Sequence, residues 1–435
     1  MLPRSIVLLP LILLIPILSL VLLIKKGGFR LDSAAVALLL ILVAVNLVVT
    51  MFNDTGFINF MFGLSTHGFI FLLAVRNRSE VNVNNMYLWL SGCLLLAFYQ
   101  AGLGFIQLMS YGFPLKLPYR DFTEDFLQGS FGSGGNRFAA NLIIIAISIY
   151  IFKFRQGIEA KKLPLLFLFF MLILSSSNMS LVSMILTFFL IYLFPPVKNM
   201  GGFGRAHGVR KGLDKKSIYI AFFMVFGVFG FVLIGGDYFV DTYYKWTTEL
   251  EYTDNARVMG ILNTINALPS MAPYQPFVGV GLGGYSSWAQ LLLSEDYLYR
   301  HVMGKHSSMD LSWLVSESDL SYSNILKYLS EDYFRPETES IINQPFFSWQ
   351  SLYAEIGGYG LLTLFVLLTP KIRLLRVFGD DDVNVRLFKQ VLIFNGIFLL
   401  INGFLDNYFE YVWMTVPFLV GLIMLPEKTI NKRLI

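Results

Sequence analysis

Arginine, glutamate and glycine residues at several places in the sequence have the chemistry to bind anions or move protons. Arg257 lies in NARVMGILNTINALP, and Glu355 lies in SLYAEIGGYGLL. Asn136 and Arg137 close the glycine-rich run GSFGSGGNR, which Arg120 precedes. A guanidinium holds a phosphate through paired hydrogen bonds, and a helix N-terminus adds its own N–H groups. These residues predict a phosphate-binding site that acts together with a carboxylate.

A glycine-rich stretch, VGVGLGGYSSW, has the spacing Gly279-x-Gly281-x-x-Gly284 of a dinucleotide-binding turn. That turn requires a preceding strand, whereas the preceding LPSMAPYQPF has three prolines and no strand pattern. Two interpretations remain for these glycines and for Gly283 between them. Either successive backbone N–H groups bind a ligand phosphate, or the backbone packs closely on a neighbouring helix. Composition favours packing.

The charged candidates have ordinary structural interpretations too. Arg257, Ile261, Ile265 and Leu268 fall at helical spacing, which predicts an amphipathic helix with an N-cap near Asp254. Arg257 could pair there with Glu251 or Asp254 rather than with a ligand. Glu355 stands at the outer end of an apolar run, where it is either functional or simply hydrated. Arg137 is either part of an anion site or an interfacial anchor.

The composition indicates a membrane protein. Only 14% of the residues are charged, against about 25% in a typical soluble domain. Apolar runs long enough to cross a bilayer recur along the chain, which predicts an all-α polytopic membrane protein with about 11 transmembrane helices. The expected spans are 5–24, 33–52, 57–75, 86–109, 137–154, 163–174, 179–194, 218–236, 350–369, 387–405 and 411–425. The pair 163–174 and 179–194 either crosses twice or dips in and returns.

Lys and Arg mark the cytoplasmic loops. Counted over the segments 25–32, 76–85, 153–162, 195–217, 370–386 and 426–435, there are 22 basic and 8 acidic residues. The remaining long segments, 110–136 and 237–349, then face outward, and 237–349 has 6 basic and 14 acidic residues. We expect N-terminal helices over 1–236 with an external loop at 110–136, one large external loop domain at 237–349, and C-terminal helices over 350–435.

In their order and sidedness, these motifs resemble the O-antigen polymerase and O-antigen ligase family of bacterial inner-membrane glycosyltransferases. The matching stretches are GSFGSGGNRFAANL, LILSSSNMSLVSMIL, NARVMGILNTINALP with VGVGLGGY, and SLYAEIGGYGLL. The family's Ser-Arg element reads Ser177-Asn178 here, and Phe346 and Phe347 stand where the ligase branch has His-Asn. These departures favour the polymerase branch, with a GT-C-like fold.

The resemblance implies glycosyl transfer between undecaprenyl-pyrophosphate-linked glycans on the periplasmic face. Arg257, with Arg120 and Arg137, would neutralise the pyrophosphate, and Glu355 or His306 would act as the base. The remaining substrate-binding residues would be Asn136, Gly279, Gly281, Gly283, Trp349 and Tyr353.

We expect no cofactor, no metal and no nucleic acid partner. The acidic run at 380–382, which resembles a metal-binding motif, falls in a cytoplasmic loop. The expected partners are lipid-linked glycans, membrane lipids and a chain-length regulator protein. The alternatives are an O-antigen ligase or another oligosaccharide transferase of the same fold and, with less support from the spans, a polysaccharide or lipid transporter.

Overall fold

The structure is a computed structural model, and it describes residues 33–53, 57–64, 67, 83–115, 130, 136–175, 178–193, 256–285, 348–377, 383–404 and 412–424. Within these ranges the regular secondary structure is helical throughout. The predicted spans 5–24 and 218–236 and the acidic run at 380–382 lie outside them.

Ten helices with defined bounds follow the apolar runs of the described sequence. They are α1 (Ser33–Phe52), α2 (Val83–Ser110), α3 (Asn136–Gln156), α4 (Lys162–Leu174), α5 (Asn178–Leu193), α6 (Ala256–Met271), α7 (Gln275–Val278), α8 (Ser348–Val377), α9 (Val383–Asn402) and α10 (Val412–Ile423). Residues 57–64 are helical as well.

Five of these helices are long and apolar enough to cross a membrane, namely α1 and most or all of α2, α3, α8 and α9. Helices α4 and α5 are apolar but shorter. The described part of the chain is therefore that of an α-helical membrane protein, as the composition predicted. Exposed apolar side chains such as Leu40 and Leu95 cover the outer faces of α1 and α2, which suits contact with lipid.

The chain divides into two compact units. The first consists of Met1–Glu80, Lys245–Ile372 and Gly403–Leu419. The second consists of Val81–Tyr244, Arg373–Asn402 and Val420–Ile435. Each unit thus draws on more than one of the three segments into which the sequence was divided.

The first unit packs α1, residues 57–64 and the part of α8 from Leu352 to Leu367 around one hydrophobic core. Eight buried side chains form this core: Ala35, Leu42, Phe60, Leu282, Leu352, Ile356, Leu364 and Leu367. Leu282 comes from the glycine-rich stretch, so this stretch of the predicted external loop is built into the core.

The second unit packs α2, α3, α4, α5 and α9 together. Phe394 of α9 lies 4.5 Å from Phe188 of α5 and 6.2 Å from Phe152 of α3, measured between ring centroids. Aromatic contacts of this kind join the three helices.

Hydrogen bonds near the helix ends of the second unit agree with alternating directions for its helices. Ser183, near the start of α5, donates to the Asn402 side chain at the end of α9, at 3.1 Å. Gln156, at the end of α3, donates to Gln390, near the start of α9, at 2.9 Å. The charge pattern had placed the members of each pair on the same side of the membrane.

Candidate functional site

Three of the predicted motifs meet in the first unit, where the glycine-rich stretch lies against a break in α8. We call residues 279–285 the glycine turn. Gly279, Gly281 and Gly283 have φ angles of 77°, 102° and 74°. Residues with a Cβ rarely adopt such angles, so the sequence of alternating glycines is what allows this backbone path.

Helix α8 is interrupted where the glycine turn meets it. Gly357 has φ 66° and ψ −178°, which breaks the helical path inside the predicted span 350–369. The carbonyls of Ala354 and Glu355 accept hydrogen bonds from Val280 N–H, at 2.9 Å, and Gly281 N–H, at 3.0 Å. In an unbroken helix these carbonyls would accept from residues 358 and 359. The turn therefore satisfies backbone groups that the break releases.

The Glu355 carboxylate also faces the glycine turn and is fully buried. Its Oε2 accepts the Gly283 N–H at 2.8 Å, and its Oε1 accepts the Tyr285 N–H at 3.4 Å. Backbone N–H groups arranged in this way bind anions. Of the two interpretations of the glycines, the described contacts match close packing, with the chain's own carboxylate as the anion.

A histidine that the sequence analysis did not single out completes this arrangement. The Nε2 atom of His67 lies 3.6 Å from Oε2 of Glu355, and the two side chains are 1% and 0% exposed. The available signal was an ionisable residue inside the predicted span 57–75, since such residues are rare in spans and usually functional. We call His67, Glu355 and the glycine turn the junction.

The end of α1 holds the other side of the glycine turn. Asn53 donates to the Val280 carbonyl at 3.1 Å and accepts from the Gln275 side chain at 3.1 Å. A Cβ on Gly281 would overlap Thr50, and a Cβ on Gly283 would overlap the Asn59 carbonyl. The turn is thus enclosed by α1, residues 57–64 and α8.

The predicted arginine helix, α6, is joined to the same turn. Thr264 donates to the Tyr285 hydroxyl at 3.1 Å and accepts from Gln350 of α8 at 2.8 Å. Burial raises the pKa of Tyr285 to about 12, and the hydrogen bond from Thr264 opposes this rise. Arg257 lies in the first turn of α6, and its side chain is outside the described part of the structure.

The buried face of α6 differs from the predicted one. Leu268 is fully buried, as expected, but Ile261 and Ile265 are 40% and 56% exposed. Thr264 is buried in their place. The assumed stripe of apolar residues was therefore only partly right, because a polar threonine makes the inward hydrogen bonds of this helix.

The two predicted aromatic residues of α8 lie in its first turns. Trp349 is half-buried, and its ring centroid lies 5.7 Å from that of Phe404. Tyr353 is half-buried as well. Both belong to the first unit and precede Glu355 by two turns or fewer, and their role in binding glycans stays a prediction.

Asn136 and Arg137 lie in the second unit, where they begin α3. Both are buried, with exposures of 1% and 7%. The Asn136 side chain accepts the Arg137 N–H at 2.9 Å and donates to the Ser175 carbonyl at the end of α4, at 3.4 Å. Ser175 belongs to the second motif of the family resemblance, so these two motifs are also in contact. A buried arginine at a helix start is consistent with an anion site.

Arg120 and His306 lie outside the described residues, as do most of 110–136 and all of 286–347. Within the residues that are described, no group of three or more His, Cys, Asp or Glu side chains lies together. The absence of a metal from the mechanism stays a prediction.

Comparison of the chain with protein-family models, with curated proteins and with solved structures gave no match. The resemblance to the O-antigen polymerase and ligase family thus rests on the motifs alone.

Proposed function

We propose that this chain is a glycosyltransferase of the bacterial inner membrane that polymerises undecaprenyl-pyrophosphate-linked oligosaccharide repeat units, such as those of O-antigen, at the periplasmic face. In this proposal the complete fold has about 11 transmembrane helices in a GT-C-like arrangement, and the large loop 237–349 faces the periplasm. The partners are lipid-linked glycans, membrane lipids and a chain-length regulator, without a cofactor.

One observation carries the proposal. The three motifs of the resemblance that are separated in the sequence, the arginine helix α6, the glycine turn and the Glu-x-Gly segment of α8, make direct hydrogen bonds to one another. Short motifs that match by chance have no reason to be joined in this way. The contact between Asn136 and Ser175 adds the same kind of support in the second unit.

The reaction that we propose joins two lipid-linked glycans. A hydroxyl oxygen of the incoming repeat unit attacks the anomeric carbon of the growing chain, the bond from that carbon to the pyrophosphate oxygen breaks, and the hydroxyl proton passes to a base. Undecaprenyl pyrophosphate leaves as an anion, which Arg257 and the arginines at 120 and 137 would stabilise.

The junction bears on which residue serves as the base. Glu355 is fully buried and holds two N–H groups, so it would have to leave the glycine turn before accepting a proton from a sugar. Positioning the turn requires no such movement. We therefore propose that Glu355 positions the site and that His306 is the base, with Trp349 and Tyr353 stacking on sugar rings.

A reconstituted assay tests this function. Purified protein in liposomes is given an undecaprenyl-pyrophosphate repeat unit, and the glycans are separated by size on a gel. A ladder that grows by one repeat unit, without metal or nucleotide, is the expected result. Transfer only to an added lipid or protein acceptor would instead identify a ligase, and glycolipid crossing the bilayer without a new bond would identify a transporter.

A further inference from the structure

We propose that Ser130 is a re-entrant residue of the second unit, where it lines a water-filled crevice at mid-helix depth and donates a hydrogen bond to an oxygen atom of a polar ligand. The inference deepens the proposed function and rests on it in one respect, namely that this ligand is the lipid-linked glycan. The depth of Ser130 and the water beside it follow from contacts of α2, α3 and α4.

Two hydrogen bonds fix Ser130 to Gln100 of α2. The side-chain oxygen of Gln100 accepts the Ser130 backbone N–H at 2.8 Å, and its side-chain nitrogen donates to the Ser130 hydroxyl oxygen at 2.6 Å. Gln100 is buried, whereas Ser130 is exposed and lies in a turn outside the helices. Because both ends of one carboxamide are used, the level of Ser130 along α2 is set by that of Gln100.

Gln100 lies deep within α2, a helix long and apolar enough to cross a membrane. The last residue of this helix, Ser110, is about 15 Å further along the axis at 1.5 Å per residue. Phe98, close to Gln100, packs on Tyr150 of α3 with ring centroids 6.4 Å apart. Tyr150 is itself about 21 Å from the start of α3. Both helices therefore place Gln100, and Ser130 with it, well below their ends.

The end of α2 and the start of α3 lie at the same end of the second unit. Phe105 of α2 packs on Phe167 of α4, and Phe113, just beyond α2, packs on Phe170 further along α4. Helices α2 and α4 thus run in the same direction, and α3 starts beside the end of α4. Ser130 stands between α2 and α3 in the sequence but lies deeper than the end of either, which makes it re-entrant.

The surroundings of Ser130 at this depth are water rather than lipid. Non-helical backbone within a bilayer is tolerated where protein buries it or where it lines a water-filled cavity, because lipid cannot satisfy its polar groups. Protein does not bury Ser130, since this residue is exposed. A water-filled crevice beside α2 is the remaining arrangement.

The hydroxyl group of Ser130 determines which ligand atoms suit the crevice. A serine hydroxyl has one donor hydrogen and two acceptor positions. Gln100 occupies one acceptor position, so the hydrogen is left to donate to an oxygen atom in the crevice. Phosphate and sugar oxygens both accept such a bond, and a lipid-linked glycan contains both.

Single-cysteine variants test the crevice in the full-length protein, held in nanodiscs so that both membrane faces are open. The background is Cys93→Ala, which removes the only cysteine of the sequence. Ser130→Cys is compared with Ser110→Cys, at the exposed end of α2, and with Leu95→Cys, whose exposed side chain is apolar and lies inside α2. A charged maleimide that does not enter lipid is the probe, and intact mass measures its attachment.

We expect Ser130→Cys to react nearly as fast as Ser110→Cys and at least about tenfold faster than Leu95→Cys, because thiolates form in water and not in hydrocarbon. A Ser130→Cys rate as low as that of Leu95→Cys would overturn the proposal. If Ser130→Cys does not fold, Gln100→Cys decides. Its shorter side chain opens the crevice to the thiol, and an unreactive thiol there refutes the crevice as well.

The ligand is tested by protection of Ser130→Cys. An excess of the undecaprenyl-pyrophosphate repeat unit should slow its labelling several-fold, while undecaprenol, without phosphate or sugar, should not. Slowing by undecaprenyl pyrophosphate alone would assign the bond to a phosphate oxygen, and slowing only by the full unit would assign it to a sugar. Equal labelling with and without the repeat unit would refute the ligand. Labelling without ligand requires no reaction, so a protein that is labelled but elongates no glycan would refute the proposed function and not the crevice.

Discussion

Replacing Gly283 with alanine tests the packing of the glycine turn. The new methyl group would overlap the backbone carbonyl of Asn59, and the residue would have to keep a φ of 74°. A left-handed conformation costs an L-residue about 1–2 kcal/mol. Forcing a methyl group into a filled site costs about 1–3 kcal/mol more, here without relief, because the obstacle is backbone rather than a flexible side chain. We expect a total loss of about 2–5 kcal/mol.

Gly92 and Gly102 of α2 provide matched controls. A Cβ at either position meets nothing within 4 Å. Both residues are inside a helix, where alanine is more stable than glycine by about 0.5–1 kcal/mol. Unfolding by increasing SDS in mixed micelles, followed by fluorescence, measures all three variants. Gly283→Ala should unfold at much lower SDS than the wild type, and the controls at equal or higher SDS.

A Gly283→Ala protein as stable as the wild type would refute this reasoning. It would mean that the turn does not press on Asn59, and that the enclosed junction is not the folded state. Loss of stability in the two control variants would instead indicate a general sensitivity of glycines to substitution.

Two other predictions concern the hydrogen bond between Ser183 and Asn402 and the buried hydroxyl of Tyr285. Asn402→Ala removes the side-chain oxygen that accepts the Ser183 hydrogen bond at 3.1 Å, and it should lower the free energy of unfolding in the SDS titration by about 0.6–2 kcal/mol. Adding Ser183→Ala to this variant should lower the free energy little further. Full additivity of the two losses would contradict the bond. For Tyr285, the folded pKa of about 12 exceeds the usual value near 10. Because the folded state favours the neutral hydroxyl of Tyr285, the free energy of unfolding should fall as pH rises from about 10 to about 12. Tyr285→Phe should lose this alkaline change, and an unchanged alkaline profile in Tyr285→Phe would refute it.

The sequence predicted the helices well because apolar runs set their limits. The predicted spans 33–52 and 137–154 agree with α1 and α3 within two residues. The predicted count of about 11 spans is not confirmed, because five helices among the described residues are long and apolar enough to cross a membrane. The short pair α4 and α5 was recognised as two separate runs, divided near Ser175.

The break in α8 was not predicted, because an apolar run looks the same whether its helix is continuous or interrupted. Gly357 lies in the stretch SLYAEIGGYGLL, which served only to locate Glu355 and to support the family resemblance. At the break, Val280 and Gly281 from another part of the chain donate hydrogen bonds to the backbone carbonyls of α8. Such a contact between distant segments has no local signature.

The junction was predicted in its parts but not in its contacts. Glu355 and the glycines were recognised separately, since a charged residue in a span and a repeated glycine are visible locally. Their contacts with each other, and the position of His67 beside Glu355, depend on tertiary packing. The exposed side chains of Ile261 and Ile265 were misjudged for another reason: helical spacing of apolar residues does not show which face packs inward, and here the polar Thr264 makes the inward hydrogen bonds.

The most direct test of the account compares chain elongation by Arg257→Ala, Arg257→Lys and Gly92→Ala with that of the wild type, at equal amounts of folded protein in liposomes. If α6 and the junction serve glycosyl transfer, Arg257→Ala should give no ladder. Arg257→Lys should give a weak one, because lysine keeps the charge but not the paired hydrogen bonds, and Gly92→Ala should match the wild type. A wild-type ladder from folded Arg257→Ala would contradict the account.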